Sequence, residues 1–479
     1  MLSNPRRGPA IALQQRFSRV LRVAVPALLF GWAAAPSQAQ TDQQSAAILD
    51  RLDRLEKQNR ELQDEIHSLR ELLAQKLENG KNIQPVDAQA QGKLDEKPNI
   101  QSDTANEHEQ VNEHRIEELA QTKVEASQRF PIHLTGTLLF NAFTNGANNG
   151  GAQNPTAASL TSGPINSGAT VRQTVLGLTF HGPQTFLGGT VSGSLYMDFF
   201  SGSSASLNHV LRIRLATVQL DWPNTTFSVG QDKPLVSRRE PNSLAQVGVS
   251  PLTNAGNPWL WQPQARIEQR FSFGQNTLLK AEAGVFQTNE QANLPADLAN
   301  RVEIARPAIQ ARVSLKHEWG NRSVEIAPVL HASTTHISGM SIPSRLYGID
   351  WFVKPASSLE ITGMVFRGQN FANLGAIGGL STNAVNRVIP VRGAGGWVQF
   401  RYIATQRLSF NAYGGQQDDR DRDLVRGRMA KNQYYAANVM YLLAPNVMTA
   451  FEVGQARTTY LGFGNRLNNH YDLALGYLF

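Results

Sequence analysis

The residues best suited to chemistry in this sequence are arginines at alternate positions of apolar segments. Arg212 and Arg214 flank Ile213, and Arg266 and Arg270 share one face of a later segment if that segment is extended. A guanidinium group keeps its charge and binds carboxylate or phosphate through two parallel hydrogen bonds, and rings of Arg or Lys select anions in pores. The spacing predicts an anion-selecting, pore-lining surface, for which the candidates are Arg212, Arg214, Arg238, Arg239, Arg266, Arg270, Arg312, Lys316 and Arg401.

Carboxylates at the same alternating positions support a second interpretation, in which the charges only solvate a wall. The acidic residues that share the face of the arginines are Asp198, Asp232, Glu268, Glu282, Asp350, Glu360 and Glu452. The face as a whole is then close to neutral. Because the arginines cluster between residues 212 and 270, we expect anion preference from their local field rather than from the total charge.

Motifs for enzyme chemistry are absent from the sequence. It contains no Gly-x-Ser-x-Gly elbow, no Walker loop, no dinucleotide fingerprint and no paired-histidine zinc motif. The histidines show no ligand spacing, and the lack of cysteine excludes disulfides and thiolate metal or redox sites. We expect no cofactor, no metal and no enzymatic activity; an enzyme whose site is assembled across the strands of a barrel is the alternative.

The last ten residues predict a strand that crosses a membrane. Tyr471, Leu473, Leu475, Tyr477 and Phe479 fall on one face of an extended segment. About 9 to 11 tilted residues span the hydrocarbon layer, and aromatic residues mark both interfaces. The terminal Phe479, with Tyr477 two residues earlier, resembles the assembly signal of bacterial outer-membrane barrels, which implies recognition by the barrel-assembly machinery.

Sixteen alternating segments between residues 132 and 479 predict an all-β transmembrane barrel of about 16 antiparallel strands. Connections of two or three residues alternate with long ones, such as 144–169 and 370–388. An even strand number places both termini on the same rim as the short turns, which is the periplasmic rim of outer-membrane barrels. Sixteen strands leave an aqueous channel. A soluble sandwich shows the same alternation, but the export signal, Phe479 and the loop lengths favour the barrel.

The third long connection, residues 233–263, is predicted to be a structured loop with a function. It contains several prolines and the tryptophans Trp259 and Trp261, and loops of this length in a compact domain are usually functional. Two placements fit the sequence. The loop either folds into the pore as a constriction, or lies across the outer mouth or a neighbouring subunit.

The segment from 209 to 222 departs from simple alternation. Its apolar residues change face near Ala216: Leu211, Ile213 and Leu215 lie on one face, and Val218, Leu220 and Trp222 on the other. One extra residue in a strand exchanges its faces, so we predict a β-bulge near Ala216.

Two segments at the amino terminus predict export and assembly. Residues 1–39 combine five arginines, no acidic residue, an apolar core and small residues at the end, which indicates a signal peptide. Residues 40–78 hold a 3-4 apolar spacing for about four heptads, which predicts a periplasmic α-helical coiled coil and hence an oligomer. Its seam consists of Ile48, Leu52, Leu55, Asn59, Leu62, Ile66, Leu69 and Leu73.

The charge distribution separates the linker and stalk from the barrel. Residues 79–131 predict a polar linker with a short helix. Residues 40–131 hold 12 basic and 19 acidic residues, whereas 132–479 hold 28 and 19. The basic excess therefore belongs to the barrel, and we expect no nucleic-acid partner.

The chain resembles the DcaP-like trimeric outer-membrane porins and, more loosely, the phosphate-selective porins O and P. Three stretches carry the likeness: Arg172-Gln173-Thr174-Val175-Leu176-Gly177, Leu211-Arg212-Ile213-Arg214 and Val229-Gly230-Gln231. Val175 stands where the family tends to have a second arginine. The resemblance implies a homotrimer with one pore per subunit, a trimeric periplasmic coiled coil, and passive uptake of small anions such as dicarboxylates.

The residues and the resemblance together predict an anion-preferring porin in the bacterial outer membrane. Its expected partners are copies of itself, outer-membrane lipid, the barrel-assembly machinery and small anionic solutes. A structural protein that tethers the envelope through the coiled-coil stalk is the alternative from another class.

Overall fold

The structure is a computed structural model that describes residues 132–202, 209–288, 307–337, 340–382 and 388–479. The predicted signal peptide (1–39), coiled coil (40–78) and linker (79–131) lie outside the described residues. Within the described ranges, no helix has both the length and the apolar character needed to cross a membrane.

Nineteen strands form in the described ranges, because most segments alternate between apolar and polar residues and end at Gly, Asn or Pro. They are β1 (Ile132–Asn145), β2 (Asn166–Thr170), β3 (Val175–Gln184), β4 (Thr190–Ser201), β5 (Val210–Asp221), β6 (Thr225–Asp232), β7 (Gln262–Phe273), β8 (Thr277–Gln287), β9 (Pro307–Trp319), β10 (Arg322–Ile337), β11 (Met340–Ala356), β12 (Leu359–Gln369), β13 (Leu380–Thr382), β14 (Val388–Pro390), β15 (Arg392–Ile403), β16 (Leu408–Asp419), β17 (Met429–Ala444), β18 (Val447–Tyr460) and β19 (Gly464–Leu478).

Seventeen of these strands form one sheet that closes on itself, and β13 pairs only with β14. The ring closes where β1 pairs antiparallel with β19, from Thr137 opposite Leu478 to Asn145 opposite His470. β2 and β3 pair with different ends of β1, so together they occupy one position in the ring. The barrel therefore has sixteen strand positions, which confirms the predicted fold class for the barrel.

The two faces of the barrel wall differ in polarity. Along β9, Ile309 and Val313 are exposed on the outside, whereas Gln310 and Arg312 are buried on the inside. A sandwich would bury the apolar set between two sheets. Here the apolar set covers the outside of a closed ring, as in a membrane barrel, and the predicted orientation of the faces is confirmed.

The connections differ in length between the two rims. On one rim they contain two to five residues, and on the other most are longer. The longest fully described loop is 233–261, which we name the third loop; it is shorter than predicted because Gln262 and Pro263 pair with β6. On the long-loop rim, two residues separate β10 from β11 and three separate β18 from β19, so the alternation of connection lengths is incomplete.

The bulge in β5 lies at Arg214, two residues before the predicted position. Tyr196 pairs with Leu215 and Met197 with Ile213, which leaves Arg214 without a partner on β4. The Gln231 side chain donates Nε2 to the carbonyl oxygens of Ile213 and Arg214, at 3.0 Å each. It satisfies the backbone groups that the extra residue leaves unpaired.

Candidate functional site

The third loop lies inside the barrel. Its backbone N–H groups at Leu235 and Asn242 donate to the side-chain oxygens of Gln310 and Gln399, at 2.8 and 2.6 Å. These glutamines face inward from β9 and β15, which are distant in the ring. A loop reaches both strands only through the lumen. Of the two placements open from the sequence, the structure has the loop in the pore.

Gln173 fixes the middle of the third loop to the wall. Its Oε1 accepts hydrogen bonds from the N–H groups of Val247 and Gly248, at 2.7 and 2.8 Å. Its Nε2 donates to the carbonyl oxygen of Ala245 at 2.9 Å and to Asn141 at 3.1 Å. Gln173 is completely buried. Water could not take the place of a lost hydrogen bond, so each of these bonds satisfies a group that would otherwise be unpaired.

A group of buried polar residues on the wall, which we name the acidic nest, holds the same part of the loop. It consists of Asn141, Tyr413, Tyr434, Asn438, Glu452 and Asp472. Glu452 accepts hydrogen bonds from Ser243 Oγ of the loop at 2.6 Å, and from Tyr413 and Asn438 at 2.7 and 2.9 Å. Asn141 donates to the Leu244 carbonyl and to Asp472, both at 2.8 Å. Among the described residues, neither carboxylate of the nest pairs with Lys or Arg.

The backbone of the third loop also rests directly on the wall at glycines. A Cβ added to Gly415 would lie 2.2 Å from the Ala255 carbonyl oxygen, and one added to Gly256 would lie 2.3 Å from the Gly396 carbonyl oxygen. Gly256 adopts a φ of +96°, which side chains disfavour. Glycine at these positions lets loop and wall touch with no side chain between them.

An ion pair within the third loop braces its beginning. Lys233 Nζ lies 2.7 Å from Glu240, whose other oxygen accepts a hydrogen bond from Ser250 Oγ at 2.7 Å. Burial raises the pKa of Glu240, but the charge of Lys233 and the bonds from Lys233 and Ser250 outweigh it and hold the pKa below its usual value. The pair is therefore ionised at neutral pH.

Two further loops fold inward at the long-loop end. In the first loop (146–165), Ala158 N donates to Thr458 Oγ1 at 2.8 Å; in the hairpin loop (370–391, described except 383–387), the Leu374 carbonyl accepts from Leu260 N at 3.2 Å. Their apolar residues pack with the third loop and the wall in one cluster: Ala158, Val236, Leu252, Ala255, Val329, Leu346, Met364, Phe366, Phe371, Leu374, Ala376, Trp397, Tyr413, Tyr434, Ala436 and Ala456. The three loops therefore fill the part of the lumen beside β11–β18 at the long-loop end.

Arg212 and Arg214 share one carboxylate near the long-loop rim. Arg212 donates to both oxygens of Asp198, at 3.0 and 2.6 Å, and Arg214 lies 3.5 Å from the same group. The Asp198 side chain is buried, while the arginines keep 28% and 15% of their surface exposed. Both guanidinium groups stack on Trp261, at 5.0 and 4.8 Å from the ring centroid. Two cations on one anion leave net positive charge beside an aromatic surface.

The arginines of the middle level are compensated by carboxylates. Arg312 contacts Glu282, Glu325 and Asp350, at 3.1, 2.8 and 2.9 Å. Arg239 of the third loop binds the same Glu325 at 2.6 Å and also Asp350. The remaining pairs at this level are Arg238 with Asp232 and Glu282, and Arg266 with Asp232. These residues fasten the start of the third loop to the wall.

The other three predicted residues lie toward the short-turn rim. Each has one carboxylate partner: Arg270 with Glu268 at 2.8 Å, Lys316 with Glu318 at 2.6 Å and Arg401 with Glu360 at 3.1 Å. All nine predicted residues therefore face the interior, but the structure divides them among three levels.

The ion pairs inside the barrel form a column that runs from rim to rim. Among the described residues, they involve twelve basic and nine acidic side chains, an excess of three positive charges. Nine of the twelve basic side chains keep between 22% and 39% of their surface accessible. Water therefore reaches the column at every level, and Glu452 and Asp472 lie apart from it beneath the loop.

Several site residues were not recognised from the sequence. Gln173 belonged to a motif of the resemblance, Glu452 was placed on the inward face, and Trp261 was assigned only to a structured loop. The polarity of Gln173 and Glu452 is the only local signal of their role. The loop residues that they bind, Val247 and Ser243, lie 74 and 209 positions away in the chain, and no sequence pattern indicates these pairs. The described ranges contain no group of His, Asp or Glu side chains arranged for a metal ion.

Comparison with solved structures adds a likeness in fold. No protein-family model and no curated protein sequence matches the chain. The chain is similar to the outer membrane channel DcaP of Acinetobacter baumannii, with a TM-score of 0.57 and 19% identity over 73% of this chain and 97% of that one. It is also similar to an anion-selective porin from Comamonas acidovorans, with a TM-score of 0.49 and 11% identity over 73% and 100%. The predicted resemblance to DcaP-like porins is confirmed at the level of fold.

Proposed function

We propose that this protein is an outer-membrane porin through which small hydrophilic solutes diffuse passively, with anions preferred. The observation that carries the proposal is the accessible column of ion-paired side chains, which in the described part of the chain consists of twelve basic and nine acidic residues. Fixed positive charge in excess raises the local concentration of anions. The fold likeness to a solved outer membrane channel supports the proposed location.

Small dicarboxylates are the proposed solute class. Arg212 and Arg214 share only Asp198, so a carboxylate in the lumen finds a guanidinium surface that is not fully neutralised. The arginines of the middle level, which are compensated by several carboxylates, then offer weaker contacts. A pore conducts when binding is strong enough for entry and weak enough for release.

We further propose that three copies assemble, with the coiled coil 40–78 in the periplasm. The support is the seam from Ile48 to Leu73, because apolar residues at 3-4 spacing need partner helices. Tyr477 and Phe479 are proposed to guide barrel assembly; in the structure their rings stack with centroids 6.3 Å apart at the seam of β1 and β19.

Planar-bilayer recording of the purified full chain under a salt gradient tests the porin and its selectivity. We expect stepwise ionic currents and a reversal potential with the sign of anion preference. Succinate is expected to interrupt the chloride current, whereas butane-1,4-diol, which is uncharged and of similar length, is not. Absence of channels contradicts the porin, cation preference contradicts the charge argument, and equal effects of the two additives contradict the solute class.

A further inference from the structure

The outer face of the barrel carries an apolar groove over β11, β12, β15, β16 and β17. It has a volume of about 740 Å³, in the range of small-molecule sites. Gly396 and Gly414 leave space above the backbone because they have no side chains, and Trp351, Val365 and Tyr435 line this space. These residues belong to the face that points away from the lumen, so the groove opens to the surroundings of the barrel.

A basic cleft of about 820 Å³ lies on the same strands at the long-loop rim. Four arginines line it: Arg345, Arg367, Arg392 and Arg420. Arg345 and Arg367 are exposed on the outer face of β11 and β12. Arg367 stands opposite Tyr347, two residues from Arg345, so the two arginines are diagonal neighbours about 7 to 8 Å apart at Cα. One phosphate can contact both.

Part of the charge in the cleft is available to a ligand. Arg392 pairs with Asp423 at 3.1 Å, and Asp418 pairs with Lys431 at 3.0 Å. Within the described ranges, no carboxylate lies at ion-pair distance from Arg345, Arg367 or Arg420. Three guanidinium groups at one rim therefore face outward without an anion.

The cleft and the groove are continuous. Val365 of the groove and Arg367 of the cleft are successive outward positions of β12, and Gly396 and Ala394 have the same relation on β15. The register places Val365 opposite Gly396 and Arg367 opposite Ala394. A ligand with an anionic head and an apolar chain fits this order from rim to mid-wall, which neither a free phosphate nor a neutral chain does.

We propose that this surface binds a phosphorylated, multiply acylated glycolipid of the outer leaflet, with its phosphates in the basic cleft and an acyl chain in the apolar groove. The proposal rests on the outer-membrane location in the proposed function. Arginine suits phosphate because its planar fork donates two hydrogen bonds at once, and basic pockets beside apolar membrane surfaces bind anionic lipid head groups. A second copy of this chain could occupy the same surface only if it placed unpaired carboxylates against the arginines of the cleft.

The test measures binding of diphosphoryl lipid A to the delipidated full-length protein in detergent, by native mass spectrometry. We expect Arg345→Gln with Arg367→Gln to weaken binding at least tenfold, and Ala412→Leu, which fills the groove, to weaken it as well. Arg457→Gln is the matched control, because Arg457 is an outward-facing arginine near the same rim on β18 without arginine neighbours, and it should bind like the unmodified protein.

Three outcomes would overturn the proposal. Equal binding of lipid A by all variants would show that the cleft and the groove are not its binding site. If inorganic phosphate at the same concentration as the lipid displaced it completely, the cleft would be a site for anions to which the acyl chain and the groove contribute nothing. A change of oligomeric state in the Ala412→Leu protein would make the groove an interface between copies. Conductance of the same variants in phosphatidylcholine bilayers tests the proposed function separately, because their substitutions lie outside the lumen and should leave it unchanged.

Discussion

Charge compensation decides which arginines of the lumen act on a passing anion. Arg312 and Arg214 both face the interior, yet Arg312 contacts three carboxylates and is 3% exposed, while Arg214 shares a single carboxylate with Arg212. Alternation in the sequence was enough to place both on the inner face. It could not show the compensation, because Glu282, Glu325 and Asp350 reach Arg312 from three other strands.

Replacing Arg212 or Arg214 by Gln is therefore expected to lower anion preference, by up to about fivefold for each, since one charge at about 4 Å in water is worth about 1 kcal/mol. Reversal potentials under a salt gradient measure the effect. Lys316→Gln is the control, because that lysine is accessible and, among the described residues, pairs one to one with Glu318. An equal shift in the control protein would contradict the argument.

At the scale of elements, the third loop owes its position to buried partners spread around the ring. Its length and its prolines predicted order, but both placements stayed open in the sequence. Gln173, Gln399 and Glu452 decide between them, and each belongs to a different strand or turn of the wall. A polar residue on an inward face is ordinary in a wet barrel, so nothing local marked these three as anchors.

Removing the Glu452 side chain is expected to release the middle of the loop. Glu452→Ala leaves Ser243, Tyr413 and Asn438 without their acceptor, at a cost of about 1 to 3 kcal/mol for each polar group left unpaired. Single-channel recordings should show greater current noise, and protease should cleave within 240–250 at an increased rate. Glu452→Gln keeps one acceptor oxygen and serves as the control. If the current noise of the Glu452→Gln protein were as high as that of the Glu452→Ala protein, the effect would come from the lost charge and not from the lost hydrogen bonds.

For the whole molecule, the sequence predicted the number of strands and the polarity of both faces, because alternation with a period of two is a local signal. It did not predict how much of the lumen three loops fill, because the apolar cluster joins Ala158, Val236 and Phe371 with strands far from them in the chain. Closure is likewise non-local, with β1 and β19 more than 300 residues apart.

Deleting residues 40–131 behind the signal peptide tests the proposed assembly. We expect an unchanged conductance for each barrel, because the hydrogen bonds that hold the loops inside it lie within residues 132–479, and a loss of stable trimers in detergent. Mass photometry and bilayer recording measure the two properties. The full-length protein with Leu62→Asp and Leu69→Asp is the control that keeps the chain length; trimers that persist in both proteins would contradict the role of the seam.

At Gly396 the barrel wall is only one peptide layer thick. The backbone of Gly256 rests on its inner side, and the apolar groove lies on its outer side. A side chain at position 256 would therefore have to displace either this single backbone layer or the third loop itself.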